Sequence, residues 1–252
     1  PPGRPRPARP RPHARRLHAA SASGLSAPVE VRTPNAQAYR DAVGAAVRSI
    51  GTTSLDKVVL SRTVPVEHDL DLVESYVAGR RMNDPARSFL LSLAGVEAFG
   101  FCPETVVRVE PSGLVTSEPV AGTRACTDDP ATNARLAQEL RSDPKEVFEH
   151  AISIRAIEQE LRPVCEPGSV AVTDLLSIKE RGSAQHLASR LSGRLAPGRQ
   201  AWDAFRALFP GITATGVPRA EACARIRELE AEPRRLYGGA VSYTHLRAHE
   251  TL

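Results

Sequence analysis

The spacing of apolar residues changes character several times along the chain. After Asn35, a polar side chain suited to capping, Tyr39, Val43, Val47 and Ile50 recur at helical spacing and predict a helix. Lys57–Val66 is apolar and β-branched, which predicts a strand. Residues 89–120 then read as a meander, with strands at Phe89–Leu93, Val96–Phe101, Thr105–Glu110 and Leu114–Val120. The last two are joined by the turn Pro111-Ser112-Gly113. Asp143-Pro144-Lys145-Glu146 supplies a cap, a proline at the first helical position and a glutamate at the third. Val147, Ala151, Ile154 and Leu161 continue that helix as an apolar stripe, which Pro163 closes, and Pro167-Gly168 marks a loop. Short helices are expected around Trp202, Phe205 and Phe209 and around Cys223, Ile226 and Leu229. No internal repeat is present, and the apolar runs are far too short to span a bilayer.

The two ends lack this periodicity. Residues 1–24 are dense in proline and arginine and predict a disordered or extended arm, taken to run to residue 34. Such an arm could also bind polyanions, or could come from a start site placed too far upstream. Residues 242–252 resemble an adapter-derived tail and are read as artefactual. His245 and His249 stand four apart there, but the His-Glu-x-x-His order of a zinc helix is missing.

Composition changes the picture in two places. The chain of 252 residues has a formal net charge of +4, yet six arginines fall within residues 4–16. Without them 27 basic residues face 29 acidic ones, so the globular part carries no nucleic-acid-binding field. Four scattered cysteines, with no Cys-x-x-Cys pair, read as reduced thiols of a cytoplasmic protein rather than a zinc site. Phosphate-binding glycine loops and a Gly-x-Ser-x-Gly elbow are absent from the sequence.

Several residues could carry chemistry. Lys57, at the start of a strand, is either a surface lysine or a desolvated base able to take a proton from water. Glu104 follows a proline at a strand boundary. Pairing Val109 with about Val115 places it opposite about Val120, give or take a bulge, and beside Gly122-Thr123. A carboxyl group held there could keep its proton and act as a general acid; in the open it would be a solvated loop carboxylate. Gly122 and Thr123 offer a backbone free of Cβ, a hydroxyl and amide donors for a carboxylate. Glu146 and Glu149 stand three apart on one helical face, where hard oxygens suit Mg²⁺, although Glu146 could equally close a capping box.

Taken in order, Lys57-Val58-Val59-Leu60-Ser61-Arg62, Cys102-Pro103-Glu104, Pro119-Val120-Ala121-Gly122-Thr123-Arg124 and Lys145-Glu146-Val147-Phe148-Glu149-His150 resemble the chorismate-using enzymes. Arg181-Gly182-Ser183-Ala184-Gln185-His186-Leu187 adds to the likeness, which extends over about residues 35–241. It implies an α+β fold like that of anthranilate synthase component I, with two sheets enclosed by helices and the active site between them. It also implies Lys57 as the base for water, Glu104 as the acid, and Glu149 and Glu146 as Mg²⁺ ligands. Gly122, Thr123, His186, Thr213 and Tyr237 would line the chorismate pocket; a buried, hydrogen-bonded role is the plainer alternative for His186. Cys102 stands where a serine is usual, and Arg219 where many members have lysine. Ala121 replaces the nucleophilic lysine of aminodeoxychorismate synthases.

Among these enzymes the motifs look most like the salicylate synthases of siderophore pathways. That implies a cytoplasmic, monomeric, Mg²⁺-dependent enzyme that converts chorismate to salicylate through isochorismate, with no nucleic-acid or membrane partner. An isochorismate synthase that stops before pyruvate loss is the alternative. The resemblance further implies a longer protein, continuing past Val241 with a substrate-binding arginine and a second metal-binding glutamate. A chain ending as this one does would then be a partial chorismate-binding domain, inactive and poorly folded alone.

Overall fold

The computed structural model describes residues 36–66 and 69–240. Asn35, the Pro/Arg-rich arm and the terminal tail lie outside the described residues. Within them the fold is α+β, as the resemblance implies.

Helix α1 (Ala36–Ile50) buries Ala46, while Val43, Val47 and Ile50 stay exposed, Val47 by 62%. Strand β1 is only Lys57–Val58, far shorter than the predicted run to Val66. The reason lies in its partner: β9 (Gly216–Val217) is equally short, with Lys57 opposite Val217. Beyond it the backbone is satisfied piecemeal rather than by a ladder. Val59 N–H donates to Thr215 O at 2.8 Å and Ser61 N–H to Glu230 Oε1 at 2.7 Å. The Tyr39 hydroxyl meets Leu60 O at 3.2 Å.

Asp71 caps α2 (Leu72–Met82) by accepting from Val73 N–H at 2.9 Å and Glu74 N–H at 3.0 Å. This helix packs on the hairpin of β2 (Arg87–Leu93) and β3 (Val96–Cys102), where Tyr76 stacks on Phe101 with ring centroids 5.6 Å apart.

The main sheet is antiparallel and five-stranded. Its members are β4 (Thr105–Val109), β5 (Leu114–Glu118), β6 (Val120–Ala125), β7 (Ala171–Glu180) and β8 (Ala184–Arg194). The spine is β8, with β7 on one side and both β5 and β6 on the other. In effect β5 and β6 form one strand interrupted at Pro119, which has no N–H to give the ladder but accepts from Ser189 N–H at 3.2 Å. Val109 pairs with Val115 as the turn predicts, and a register shift between Thr105 and Arg108 carries Thr105 to Glu118.

Two successive Asp-Pro steps start helices α3 (Pro130–Ser142) and α4 (Pro144–Leu161), each aspartate accepting from two amides of the first turn. Helices α5 (Ala201–Leu208) and α6 (Arg219–Leu229) follow. Ile154, Ile157 and Leu161 of α4, Ala204 and Leu208 of α5, and Val115 and Leu191 of the sheet share one core with Val217. Burying a side chain of this size is worth about 1.5–3 kcal/mol. Trp202 meets Phe205 edge-on at 5.6 Å, and Phe205 stacks on Phe209 at 4.9 Å.

Candidate active site

The end of β3, the break in β5–β6 and the loop before β9 converge on Glu104. Its carboxyl group is enclosed between two donors, Thr213 Oγ1 to Oε1 at 2.7 Å and Val120 N–H to Oε2 at 3.4 Å. Burial pushes its pKa above the usual carboxylate range, against the pull of Thr213, Val120 and the Lys57 charge. A raised pKa is the direction that suits a general acid.

Lys57 enters the same space from β1, its side chain 14% exposed. Burial lowers its pKa, and the nearby carboxylates Glu149 and Glu104 only partly oppose this. Its Nζ lies 3.9 Å from Glu149 Oε2. A lysine that deprotonates more easily and a glutamate that deprotonates less easily therefore share one cleft, an arrangement suited to paired base and acid catalysis.

The first turns of α4 supply the carboxylates. The Asp143 cap, with Oδ1 3.0 Å from Lys145 N and 3.4 Å from Glu146 N, fixes where the helix begins. Asp143 N–H is already given to Glu139 O at 2.9 Å, so Glu146 does not close a capping box. Instead Glu146 Oε1 lies 3.8 Å from the Arg124 guanidinium and 3.5 Å from Lys145 Nζ. Glu149 is paired with Lys145 at 3.1 Å as well as with Lys57. Gly122 sits against this helix with φ +61°, and a Cβ there would stand 2.8 Å from Glu146 Oε2.

His186 lies across the ladder from Thr123. Its Nδ1 is 3.1 Å from Thr123 Oγ1 and 3.2 Å from Gly122 O, and burial lowers its pKa. Thr213 reaches the site through Glu104. Tyr237 is 57% exposed, its ring 5.6 Å from the Arg234 guanidinium, and among the described residues it has no hydrogen bond to another predicted site residue. Arg219 is directed elsewhere, pairing with Glu160 at 2.8 Å and donating to Ala207 O.

His150 and Arg181 stand within the motifs without a role that the sequence assigns. His150 is fully buried, with Nε2 2.8 Å from Ser189 Oγ, and burial together with the Lys57 charge lowers its pKa to about 4. It follows Glu149 and stands four residues after Glu146, a spacing that places it on Glu146's side of the helix. Arg181 Nε donates to Pro103 O at 3.1 Å, next to Glu104, a contact no local spacing reveals.

Among the described residues no group of three or more His, Cys, Asp or Glu side chains gathers as a ready metal cage. The pair Glu146 and Glu149 still fits Mg²⁺, which favours a few hard oxygens and completes its shell with water and substrate.

The family model for chorismate binding enzymes matches residues 14–249, and the chain belongs to that family. It is 45% identical over 203 residues to a salicylate synthase of Mycolicibacterium paratuberculosis, covering 81% of this chain and 45% of that protein. Among solved structures it resembles anthranilate synthase component I from Streptococcus pneumoniae, with TM-score 0.72 and 28% identity over 83% of this chain and 46% of that one. The menaquinone-specific isochorismate synthase from Escherichia coli shares the fold at TM-score 0.65 and 21% identity, over 86% of this chain and 52% of that chain. The chain thus spans about half the length of the relatives it matches.

Proposed function

We propose that this chain carries the acid–base core of an enzyme that converts chorismate to salicylate by way of isochorismate, releasing pyruvate. The observation that carries the reading is the opposed pair Lys57 and Glu104, one base and one acid shifted in complementary directions within one cleft. Lys57, in its deprotonated form, takes a proton from water as the oxygen bonds to C2 of chorismate. Glu104 gives its proton to the C4 hydroxyl, which departs as water. Thr213 and Val120 N–H hold the carboxyl group in place before transfer and donate to the carboxylate left afterwards. The isochorismate so formed loses pyruvate by an intramolecular rearrangement, for which orientation by Thr123, His186 and Tyr237 matters more than a further proton donor.

Glu149, with Glu146 beside it, would hold Mg²⁺; when bound, the ion supplies positive charge to the ring carboxylate. Salicylate rather than isochorismate is favoured by the 45% identity to a salicylate synthase. We place the product in siderophore assembly and the enzyme, as a monomer, in the cytoplasm.

The test is product analysis with chorismate and Mg²⁺. Equal amounts of salicylate, read by its fluorescence, and pyruvate are expected. Isochorismate accumulating without pyruvate would remove the lyase half of the proposal. Unchanged chorismate would remove all of it.

A further inference from the structure

The Glu104 carboxyl group is enclosed between two donors, yet the residue sits between two strands, where backbone is ordinarily free to shift. Several contacts suppress that freedom. The carboxyl group is held by Thr213 Oγ1 and Val120 N–H. The backbone is held separately: Cys102 Sγ lies 3.1 Å from Glu104 O, and Arg181 Nε donates to Pro103 O at 3.1 Å. The carbonyl of Pro103 belongs to the same rigid peptide plane as the Glu104 nitrogen. Fixing that carbonyl fixes one of the two planes from which the Glu104 side chain is aimed.

Arg181 is itself anchored from behind. It closes the β7–β8 hairpin, with Arg181 N–H donating to Ala184 O at 2.7 Å across Gly182-Ser183. The tip of that hairpin is pressed onto the end of α2. Ser183 N–H donates to Met82 O at 3.1 Å, and Gly182, at φ +76°, leaves room where a Cβ would come within 2.5 Å of Met82 O. One line of contacts therefore runs from α2 through the hairpin tip and Arg181 to the turn carrying Glu104.

We propose that Arg181 is a positioning residue for Glu104, acting through the Pro103 carbonyl and not on the substrate. This rests on the reading of Glu104 as the acid. The guanidinium is suited to the task, since a planar fork loses less freedom per bond than a lysine chain. The titratable groups facing the turn are Lys57 from β1, Cys102 from β3 and Arg181 from the hairpin; Thr213, from the loop before β9, is neutral. Without Arg181 the turn relaxes, water reaches the carboxyl group, and its proton is held less firmly.

The test follows Glu104 itself. In pH-difference infrared spectra of the whole chain, the carboxyl band that disappears in Glu104→Gln identifies the residue. Arg181→Gln should move its titration midpoint down by about one unit, a tenfold change in proton affinity. Arg181→Lys should recover part of the shift, and Arg190→Gln, which alters an exposed arginine on the same hairpin, should leave it in place. In turnover, Arg181→Gln should lower kcat about tenfold with KM within about twofold of wild type. If Arg181→Gln fails to melt cooperatively, Arg181→Lys takes its place, and a midpoint and kcat equal to wild type in that variant overturn the proposal. An unchanged midpoint in a folded Arg181→Gln does the same, and so does a raised KM at constant kcat, which would put Arg181 on the substrate. If the wild type consumes no chorismate, the proposed function fails, while the infrared midpoints still decide whether Arg181 holds Glu104.

Discussion

Two places in the cleft present carboxylates, and they are built on different principles. At Glu104 the carboxyl group meets a hydroxyl and an amide, and its burial strengthens its hold on the proton. The start of α4 is ionic: Glu146 and Glu149 are met by Lys145, Arg124 and Lys57. At Glu104 burial outweighs two donors that favour the charged form, whereas at the start of α4 each carboxylate has cations within ion-pair distance. One residue type is thus enclosed in one place and ion-paired in the other, the contrast on which the proposed roles of acid and Mg²⁺ ligand rest. Lys57 faces both, which makes it the most sensitive point of the comparison.

Removing Lys57 should have the largest effect. Lys57→Ala is expected to lower kcat by roughly 10²–10⁴-fold, the usual worth of a general base, while chorismate binding measured by titration changes little. Near-normal turnover would dissolve the distinction between the two places, because neither would then serve a base.

His150, on the buried side of the same helix, gives a smaller effect with a definite sign. Its pKa is depressed from 6.5 to about 4 in the folded protein. The unfolded chain therefore takes up the proton first, so the stabilisation is complete above about pH 6.5 and is lost as pH falls towards 4. The loss amounts to about 3 kcal/mol at most. Denaturant melts from pH 7 to 4.5 should show this slope in wild type and a shallower one in His150→Gln. Parallel slopes would mean that His150 accepts its proton without strain.

The smallest effect belongs to the ionic place. Glu149→Gln should raise the Mg²⁺ concentration for half-maximal turnover by about tenfold, since a neutral amide is a poorer ligand for a hard cation. Full activity in excess EDTA would instead assign these carboxylates to the ion pairs alone.

The same contrast explains what could be read from the sequence. The place of Glu104 was legible because pairing can be counted from the hairpin turn: Val109 pairs with Val115, and even with the register shift that follows, Glu104 ends beside Val120. The start of α4 was legible because Asp143-Pro144 is a strong local signal. The two longest strands, β7 and β8, were not anticipated. The register of β7 against β8 shifts twice, and β8 carries polar Gln185, Ser189 and Ser192. The burial of Gln185 is satisfied by Ala125 O at 3.0 Å and Asn133 O at 3.2 Å, partners more than fifty residues away. The predicted strand beyond Val58 failed for the converse reason: its composition suits a ladder, but after one backbone bond from Val59 to Thr215 the fold provides side chains there and no strand. Arg181 was invisible because its contact with Pro103 spans 78 residues.

Trp202 gives the molecule a lamp of its own. It is the chain's single tryptophan, so its fluorescence has one origin. That origin is the outer end of a file of rings, through Phe205 to Phe209, which opens the segment leading to Thr213. Being 59% exposed, the indole emits from a wet environment while one edge senses the packing of α5. A change in its colour would mark the loosening of the helix that precedes the Thr213 loop, in a spectral signal that needs neither substrate nor dye.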